Sequence, residues 1–400
     1  MMKTCYVIDA VRTPIGKYGG KLSTIRPDDL LAGTIIALLQ RNPDIDPSKI
    51  EDVIAGAANQ AGEDNRNVAR MAALLAGLPV SVGGNTVNRL CASGLQAIMD
   101  AARAIMCNDG MLYIACGVES MTRAPFVTAK TEGSWSRKLE TYDTTMGWRF
   151  TNKRLAELYH PFTMGETAEN VAKEWNITRE EQDFFAFKSQ EKYYAALQSG
   201  KWENEIAAVE MTNDRLISWF NTDEHPRETT LEKLANLKPA FVKDGTVTAG
   251  NASGINDGAA AILLASAEAV KLFNLQPMAR IVSMAVAGVD PSIMGMGPVP
   301  SSSKALDRAG IKVSDLDLIE LNEAFASQSL ACIKELGLDS KKVNVNGGAI
   351  ALGHPLGCSG VRISTTLLHE MYRGQLKYGL ATMCVGVGQG ASVVYEGLSS

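Results

Sequence analysis

Two stretches of this chain, residues 1–120 and 273–400, run through the same order of short β-rich segments and helical periodicities. That repetition restricts the fold more than any other feature. In the first stretch Asp52-Val53-Ile54-Ala55 reads as a strand and Asn67 to Leu78 as a helix stopped near Pro79. Asn85-Thr86-Val87 then reads as a strand, Ser93 to Met106 as a helix and Met111 to Cys116 as a strand. In the second stretch Asp317-Leu318-Ile319-Glu320-Leu321 mirrors the Asp52 strand, and Val345-Asn346 mirrors Val87-Asn88. After each Val-Asn pair a short element opens a helix, Cys91-Ala92-Ser93-Gly94 in one half and Cys358-Ser359-Gly360 in the other. Each half ends in a strand carrying a cysteine, Cys116 or Cys384. Strands alternating with helices predict βαβ units and a mainly parallel sheet. Duplicated sheets packed together bring their two post-strand loops to one shared cleft.

The middle of the chain has another texture. Over residues 121–248 tryptophans, tyrosines and charges concentrate and strand signals thin out. Thr178-Arg179-Glu180-Glu181 is a capping box leading into a helix. This segment is expected to be a loop-rich, partly helical insertion or lid. Residues 249–272 return to small and apolar types, Gly258 to Ala265, as for a buried strand. The expected organisation is an N-terminal half of residues 1–120 plus 249–272, an insertion of 121–248 and a C-terminal half of 273–400. A chain of 400 residues suits two or three such units.

Composition removes several classes of function. An apolar share of 46% and a charged share of 21% suit a soluble globular protein. A net charge of −5 gives no reason to expect nucleic acid as a partner, since phosphate backbones need a cationic surface. No apolar run approaches the roughly 18 residues of a membrane span. Met1-Met2-Lys3 leads at once into the strand-like Cys5 to Ala10, without a signal peptide, and Leu398-Ser399-Ser400 is not a peroxisomal tripeptide. Seven scattered cysteines point to reduced thiols and a cytoplasmic setting, and no close-spaced Cys/His set suits zinc or another metal.

Four residues stand out for chemistry. Cys91 falls between a strand and the first turn of a helix, where N–H groups and the helix dipole favour a thiolate; the alternative is a thiol that merely packs. His354 lies in a glycine-dense, almost uncharged run from Asn346 to Gly357, which lets backbone approach a ligand closely. The other histidines, His160, His225 and His369, sit in ordinary polar contexts. Cys384 precedes Val385-Gly386-Val387-Gly388-Gln389-Gly390, whose free N–H groups can hold an oxyanion; no helix clearly follows, so a dinucleotide loop is discounted. Asn322, after the Asp317 strand, is placed either to hold a water or carbonyl or to cap a helix.

Taken together, Asn88-Arg89-Leu90-Cys91-Ala92-Ser93-Gly94, Asn322-Glu323-Ala324-Phe325, Gly347-Gly348-Ala349-Ile350-Ala351-Leu352-Gly353-His354-Pro355 and Cys384-Val385-Gly386-Val387-Gly388-Gln389-Gly390 resemble the four signature loops of the thiolases. The resemblance spans the whole chain. It implies an α/β thiolase-like fold, two duplicated βαβαβαββ halves in a layered arrangement with a loop domain inserted in the first. It implies Cys91 as the acylated nucleophile, His354 as its activator and part of one oxyanion hole, and Asn322 as holder of the water completing that hole. Cys384 becomes the acid/base at the substrate α-carbon, and the N–H groups of Cys91 and Gly386 the second hole. Coenzyme A and acetyl-CoA enter as substrates, with no permanently bound cofactor. Arg227 in Asp223-Glu224-His225-Pro226-Arg227 flanks the adenine and Ser253 in Asn251-Ala252-Ser253-Gly254 meets the pantetheine arm. Met164, Met294 and Phe325 line the same path. The resemblance also implies a homodimer or homotetramer.

Within the family, Asn59 to Arg70 and Gly147-Trp148-Arg149-Phe150 look like the 3-oxoadipyl-CoA thiolases of aromatic degradation. Thr163 stands where many biosynthetic acetoacetyl-CoA thiolases have a histidine. A substrate ending in a carboxylate needs a cation, for which Arg149 and Arg123 are candidates. The competing readings are a broad-range 3-ketoacyl-CoA thiolase, an acetyl-CoA C-acetyltransferase, a ketosynthase-like condensing enzyme and an inert acyl-CoA binder. Cys384 standing in the acid/base position disfavours the ketosynthase.

Overall fold

The computed structural model describes residues 3–131, 133–213 and 216–398; Met1, Met2, Ser399 and Ser400, read above for targeting signals, lie outside the described residues. Nine long strands carry the architecture. The first half contributes β1 (Cys5–Arg12), β2 (Ile50–Gly56), β3 (Gly83–Val87), β4 (Leu112–Ser120) and β5 (Asn256–Ser266). The second contributes β6 (Ala279–Gly288), β7 (Leu318–Leu321), β8 (Tyr378–Val385) and β9 (Gln389–Gly397). Their hydrogen-bonded order is β7-β8-β9-β6-β1-β5-β4-β2-β3. A parallel bridge from Ile319 to Val343 adds, beside β7, the place that β3 holds beside β2. The two halves therefore share one topology, and they join through the antiparallel pairing of Tyr6 with Arg280 and Val7 with Ala279.

The mainly parallel sheet expected from the sequence is corrected to a mixed one. Pairs β2–β3, β2–β4 and β7–β8 are parallel, because helical crossovers link them. The joints β4–β5, β1–β5, β1–β6, β6–β9 and β8–β9 are antiparallel. The last of these is a hairpin, and a hairpin can only reverse the chain. The mirror of Val87 is corrected too. Val343 makes the bridge, and Asn344, not Asn346, follows it, its side chain clamped on Leu321 through N–H···O contacts of 2.9 and 2.8 Å.

Helices α1 (Pro27–Arg41) and α2 (Val68–Leu75) cover the outer face of the first half. Between the inner faces of both halves lie α3 (Ser93–Met106) and α8 (Leu356–Gly374), packed on one another. Glycine makes that contact close: a Cβ on Gly94 would stand 2.7 Å from the Gly357 carbonyl, and one on Gly360 2.1 Å from the Leu95 nitrogen. The outer face of the second half is covered by α6 (Pro298–Ala309) and α7 (Ala326–Leu336), with α4 (Met164–Glu174) and α5 (Arg179–Gln198) supplied by the insertion.

The capping box at Thr178 and Glu181 forms as expected and starts α5. The insertion also holds two hairpins, Phe126–Thr128 with Thr141–Asp143 and Val209–Asn213 with Leu216–Phe220. It is fastened to β1 by Arg12, which is fully buried between Glu205 (2.5 Å) and Asp223 (2.6 Å). Burial opposes the guanidinium charge, but the two carboxylates prevail and hold its pKa above the ordinary value. Among the described residues no helix is long and apolar enough to cross a membrane.

Candidate active site

The turn after β3 is held by its own side chains. Asn88 accepts the Leu90 N–H at 2.8 Å through Oδ1 and donates to the Ala58 carbonyl at 2.9 Å. Ser93 accepts the Arg89 N–H at 2.9 Å and donates to the Leu90 carbonyl at 2.6 Å. These bonds keep Leu90 at φ +47°, an uncommon conformation for a branched residue. Cys91 emerges from that turn half-buried, two residues before α3 begins. Arg89 spans the halves, donating to Gln96 and to Gln389 at 2.7 Å each.

The second half closes over this turn. Cys384 lies one residue from the end of β8, and Gly386, Val387 (φ +63°) and Gly388 (φ +82°) form a hairpin loop into β9. The discounted Gly-x-Gly-x-Gly run is thus a β-hairpin turn. A Cβ on Gly386 would lie 3.3 Å from Leu90 Cδ1 and 3.6 Å from Met164 Sδ. The N–H groups of Gly386 and of Cys91 itself are directed at the Cys91 sulfur. Burial raises the Cys91 pKa; those amides pull it down, Glu119 pushes it up, and the net shift is upward. The net shift thus runs against the thiolate that the position before a helix was expected to favour, because burial outweighs the two amides. Burial, then the neighbouring Cys91, holds the Cys384 pKa well above the ordinary thiol value.

His354 follows Gly353, whose φ of +104° excludes other residues, and its N–H donates to Asn256 Oδ1 at 3.0 Å. Its Nδ1 is 2.6 Å from Ser359 Oγ, and Ser359 spends its own proton on the Pro355 carbonyl at 2.8 Å. Nδ1 must then carry the ring proton, which leaves Nε2 bare; the tautomer is assigned from this network. Nε2 faces Asn322 Nδ2 at 3.4 Å. Burial, with the Arg362 charge adding to it, lowers the His354 pKa to about 3, so the ring is neutral near pH 7. Asn322 does not cap a helix, for Phe325 is the N-cap of α7. Its N–H donates to the Thr382 carbonyl of β8 at 3.0 Å, and its buried Oδ1 has no protein partner. Cys91, Gly386 and Cys384 are thus neighbours across the halves, and Asn322 pairs with His354 while its backbone is tied to Thr382, two residues before Cys384.

Two polar residues at this site escaped the reading of the sequence. Ser359 fixes the histidine tautomer; it was visible as part of Cys358-Ser359-Gly360, though its partner was not. Glu119 is buried at the end of β4 and accepts N–H groups of Ala58 (2.9 Å), Asn59 (3.1 Å) and Gly357 (2.8 Å). Burial lifts its pKa to about 7 against those three amides. It was hidden because β4 runs on four residues past Cys116, to Ser120.

The residues expected to meet coenzyme A are also assembled. Met164, Met294, Phe325 and Cys384 share one apolar cluster with Ala252 and Ala324. Ala252 bridges to Phe325, and the Ser253 N–H donates to the Ala324 carbonyl at 3.0 Å. Gly254 abuts the His225 ring, and Arg227 donates to the Ala249 carbonyl at 2.7 Å. An apolar wall therefore runs from Cys384 towards Ser253 and the Arg227 segment. Thr163 caps α4 through a capping box with Glu166. Arg123 is clasped by Glu63, two contacts at 2.6 Å, whereas Arg149 lines a cavity shared with Leu90 and Leu356.

Such a site offers paired thiols, a neutral imidazole with an unprotonated Nε2 and two amides aimed at one sulfur. That inventory suits covalent acyl transfer with separate proton handling. Comparison with known proteins agrees. Residues 5–268 match the thiolase N-terminal domain and residues 275–397 the thiolase C-terminal domain. The chain is 54% identical over 399 residues to the 3-oxoadipyl-CoA/3-oxo-5,6-dehydrosuberyl-CoA thiolase of Escherichia coli, covering 99% of this chain and 100% of the relative. It is equally similar, 54% over 399 residues with the same coverage, to the beta-ketoadipyl-CoA thiolase of Pseudomonas aeruginosa. Among solved structures, the Bacillus anthracis acetyl-CoA acetyltransferase superposes with a TM-score of 0.93 at 44% identity, covering 99% of each chain. Human mitochondrial 3-ketoacyl-CoA thiolase in complex with CoA gives 0.92 at 42% identity, covering 99% of this chain and 98% of that one.

Proposed function

This chain belongs to the thiolase family, and from that premise we propose that it cleaves 3-oxoadipyl-CoA with coenzyme A to succinyl-CoA and acetyl-CoA. The observation that carries the chemistry is the packing of Gly386, two residues after Cys384, against Leu90, the neighbour of Cys91. The substrate is supported by full-length identity to beta-ketoadipyl-CoA thiolases.

Cys91 Sγ attacks the β-keto carbon while its proton passes to the bare Nε2 of His354. The new oxyanion is held by the N–H groups of Cys91 and Gly386. Cleavage of the α–β carbon bond leaves succinyl on Cys91 and an acetyl-CoA enolate. The enolate oxygen is met by His354 and by a water on Asn322, whose unpartnered Oδ1 suits that task. Cys384 protonates the α-carbon, a role that fits a thiol kept protonated by its burial. Coenzyme A enters along the Met164, Met294 and Phe325 wall towards Ser253 and Arg227 and gives its thiol proton to the Cys384 thiolate; its sulfur takes the succinyl group as Cys91 recovers its proton from His354. Coenzyme A and acyl-CoA are substrates, with no resident cofactor required.

The same reading includes the division into two halves and an insertion, a cytoplasmic setting and a homodimer or homotetramer. The lone outer edge of β3 and the exposed Leu74, Leu75 and Val80 nearby support self-association there. Light scattering on the purified protein reads the oligomer. A thiolysis panel tests the substrate: kcat/KM for 3-oxoadipyl-CoA is expected to exceed that for a neutral 3-oxoacyl-CoA of equal length, and equal values overturn the proposal.

A further inference from the structure

Resting on the proposed dicarboxylate substrate, we propose that Arg149 is the specificity-determining counter-ion for its terminal carboxylate. The cavity that holds Arg149 is bounded by Leu90, next to the nucleophile, and by Leu356, two residues after the histidine. Leu90 and Leu356 thus bring the cavity to the two loops that carry Cys91 and His354. The cavity measures about 130 Å³, space for a short acyl remnant rather than for a whole drug-sized ligand.

Arg149 is the one cation among the described residues lining that cavity. The other polar lining is already engaged. Asn59 donates to Thr144 at 2.9 Å, and Thr144 donates to the Pro125 carbonyl at 2.6 Å. Thr145 donates to Asp143 at 2.6 Å, and Glu119 is turned to its three backbone amides. Arg149 itself makes no salt bridge or side-chain hydrogen bond among the described residues. That sets it apart from Arg123, whose guanidinium Glu63 occupies, and removes Arg123 as the alternative.

The segment carrying Arg149 is anchored on both sides of it. Trp148 donates from Nε1 to the Phe162 carbonyl at 3.0 Å, and the Phe150 ring meets Tyr142 edge-on at 4.8 Å. A guanidinium held over the acyl cavity by fixed aromatic neighbours suits bidentate capture of a carboxylate. The insertion thus supplies the group that tells a charged acyl end from a neutral one.

The test is the ratio of kcat/KM for 3-oxoadipyl-CoA to that for 3-oxohexanoyl-CoA. Arg149→Met is expected to lower that ratio about 10- to 100-fold, the loss of a charge-assisted hydrogen-bonded pair. Arg149→Lys, which keeps charge but not the fork, should fall between the variant and the parent. Arg123→Gln is expected to leave the ratio where the parent has it. A parent enzyme with no preference for 3-oxoadipyl-CoA overturns the substrate reading itself. A parent preference that survives in Arg149→Met, or that Arg123→Gln abolishes equally, overturns the assignment to Arg149 alone. Because the ratio is taken on one preparation, a partly unfolded variant does not mimic the expected result, and an equal fall on both substrates counts against the proposal.

Discussion

At the scale of single residues, the proposed mechanism divides the site into groups that react and groups that hold them. Cys91→Ala should leave no acyl adduct by mass spectrometry after incubation with acetyl-CoA. Cys384→Ser should still acylate but lose exchange of the acetyl-CoA methyl protons into deuterated water; retained exchange assigns the base elsewhere. Ser359→Ala removes the acceptor that keeps the proton on Nδ1, so kcat should fall about tenfold or more with little change in KM, while Ser359→Thr restores it. Glu119 offers a pH test. Its carboxyl holds a proton up to about pH 7 when folded but only to its ordinary 4.5 when unfolded. The folded state therefore binds more protons across that interval, and this contribution to stability is lost as pH rises through it, up to about 3 kcal/mol. Thermal melts of Glu119→Gln should lack that component, so the gap between parent and variant should change between pH 4.5 and 7 and stay flat above. Cys91 stood out in the sequence by its place between a strand and a helix start, His354 by its glycine-dense run and Cys384 by the glycines that follow its apolar strand. Ser359 and Glu119 did not, since their meaning lies in partners such as Gly357, far from Glu119 along the chain.

Among elements, the contact of α3 with α8 decides the most. Gly360 has no room for a side chain: a methyl group would overlap the Leu95 backbone at 2.1 Å. Gly360→Ala should cost about 1–3 kcal/mol in denaturant melts, the usual penalty of overpacking. Its activity should fall further than its stability, because both helices carry reacting loops at their N-termini. The Ser93–Met106 helix was readable to the residue from its apolar spacing. The start of α8 was not, since Leu356 and Gly357 look like a continuation of the glycine loop, yet they form its first turn. Val343 was misplaced for a related reason: a single bridge leaves no alternating pattern to read, and the register comes from Ile319 across the gap.

On the scale of the whole molecule, repetition in the sequence indicated two like halves, and in the structure the order β7-β8-β9-β6 repeats β2-β4-β5-β1. What it did not reveal was how they join. The joint is the antiparallel pairing of β1 with β6, and each half reaches it through a returning strand, β5 after the insertion and β9 after a hairpin. The insertion in turn depends on Arg12. Removing that guanidinium by Arg12→Ala strands Glu205 and Asp223 in the interior, and should destabilise the protein by about 3–5 kcal/mol in chemical denaturation. Replacing all three with well-packed apolar residues should cost far less.

The glycine seam between α3 and α8 has a consequence for how the enzyme fails under stress. Both reacting loops spring from the innermost layer, whereas Ser253, Arg227 and Arg149 are presented by peripheral segments. Warming or mild denaturant should loosen the periphery first. Grip on the cargo would slip away, and KM would climb, before the inner layer beneath the proposed reacting groups gave way.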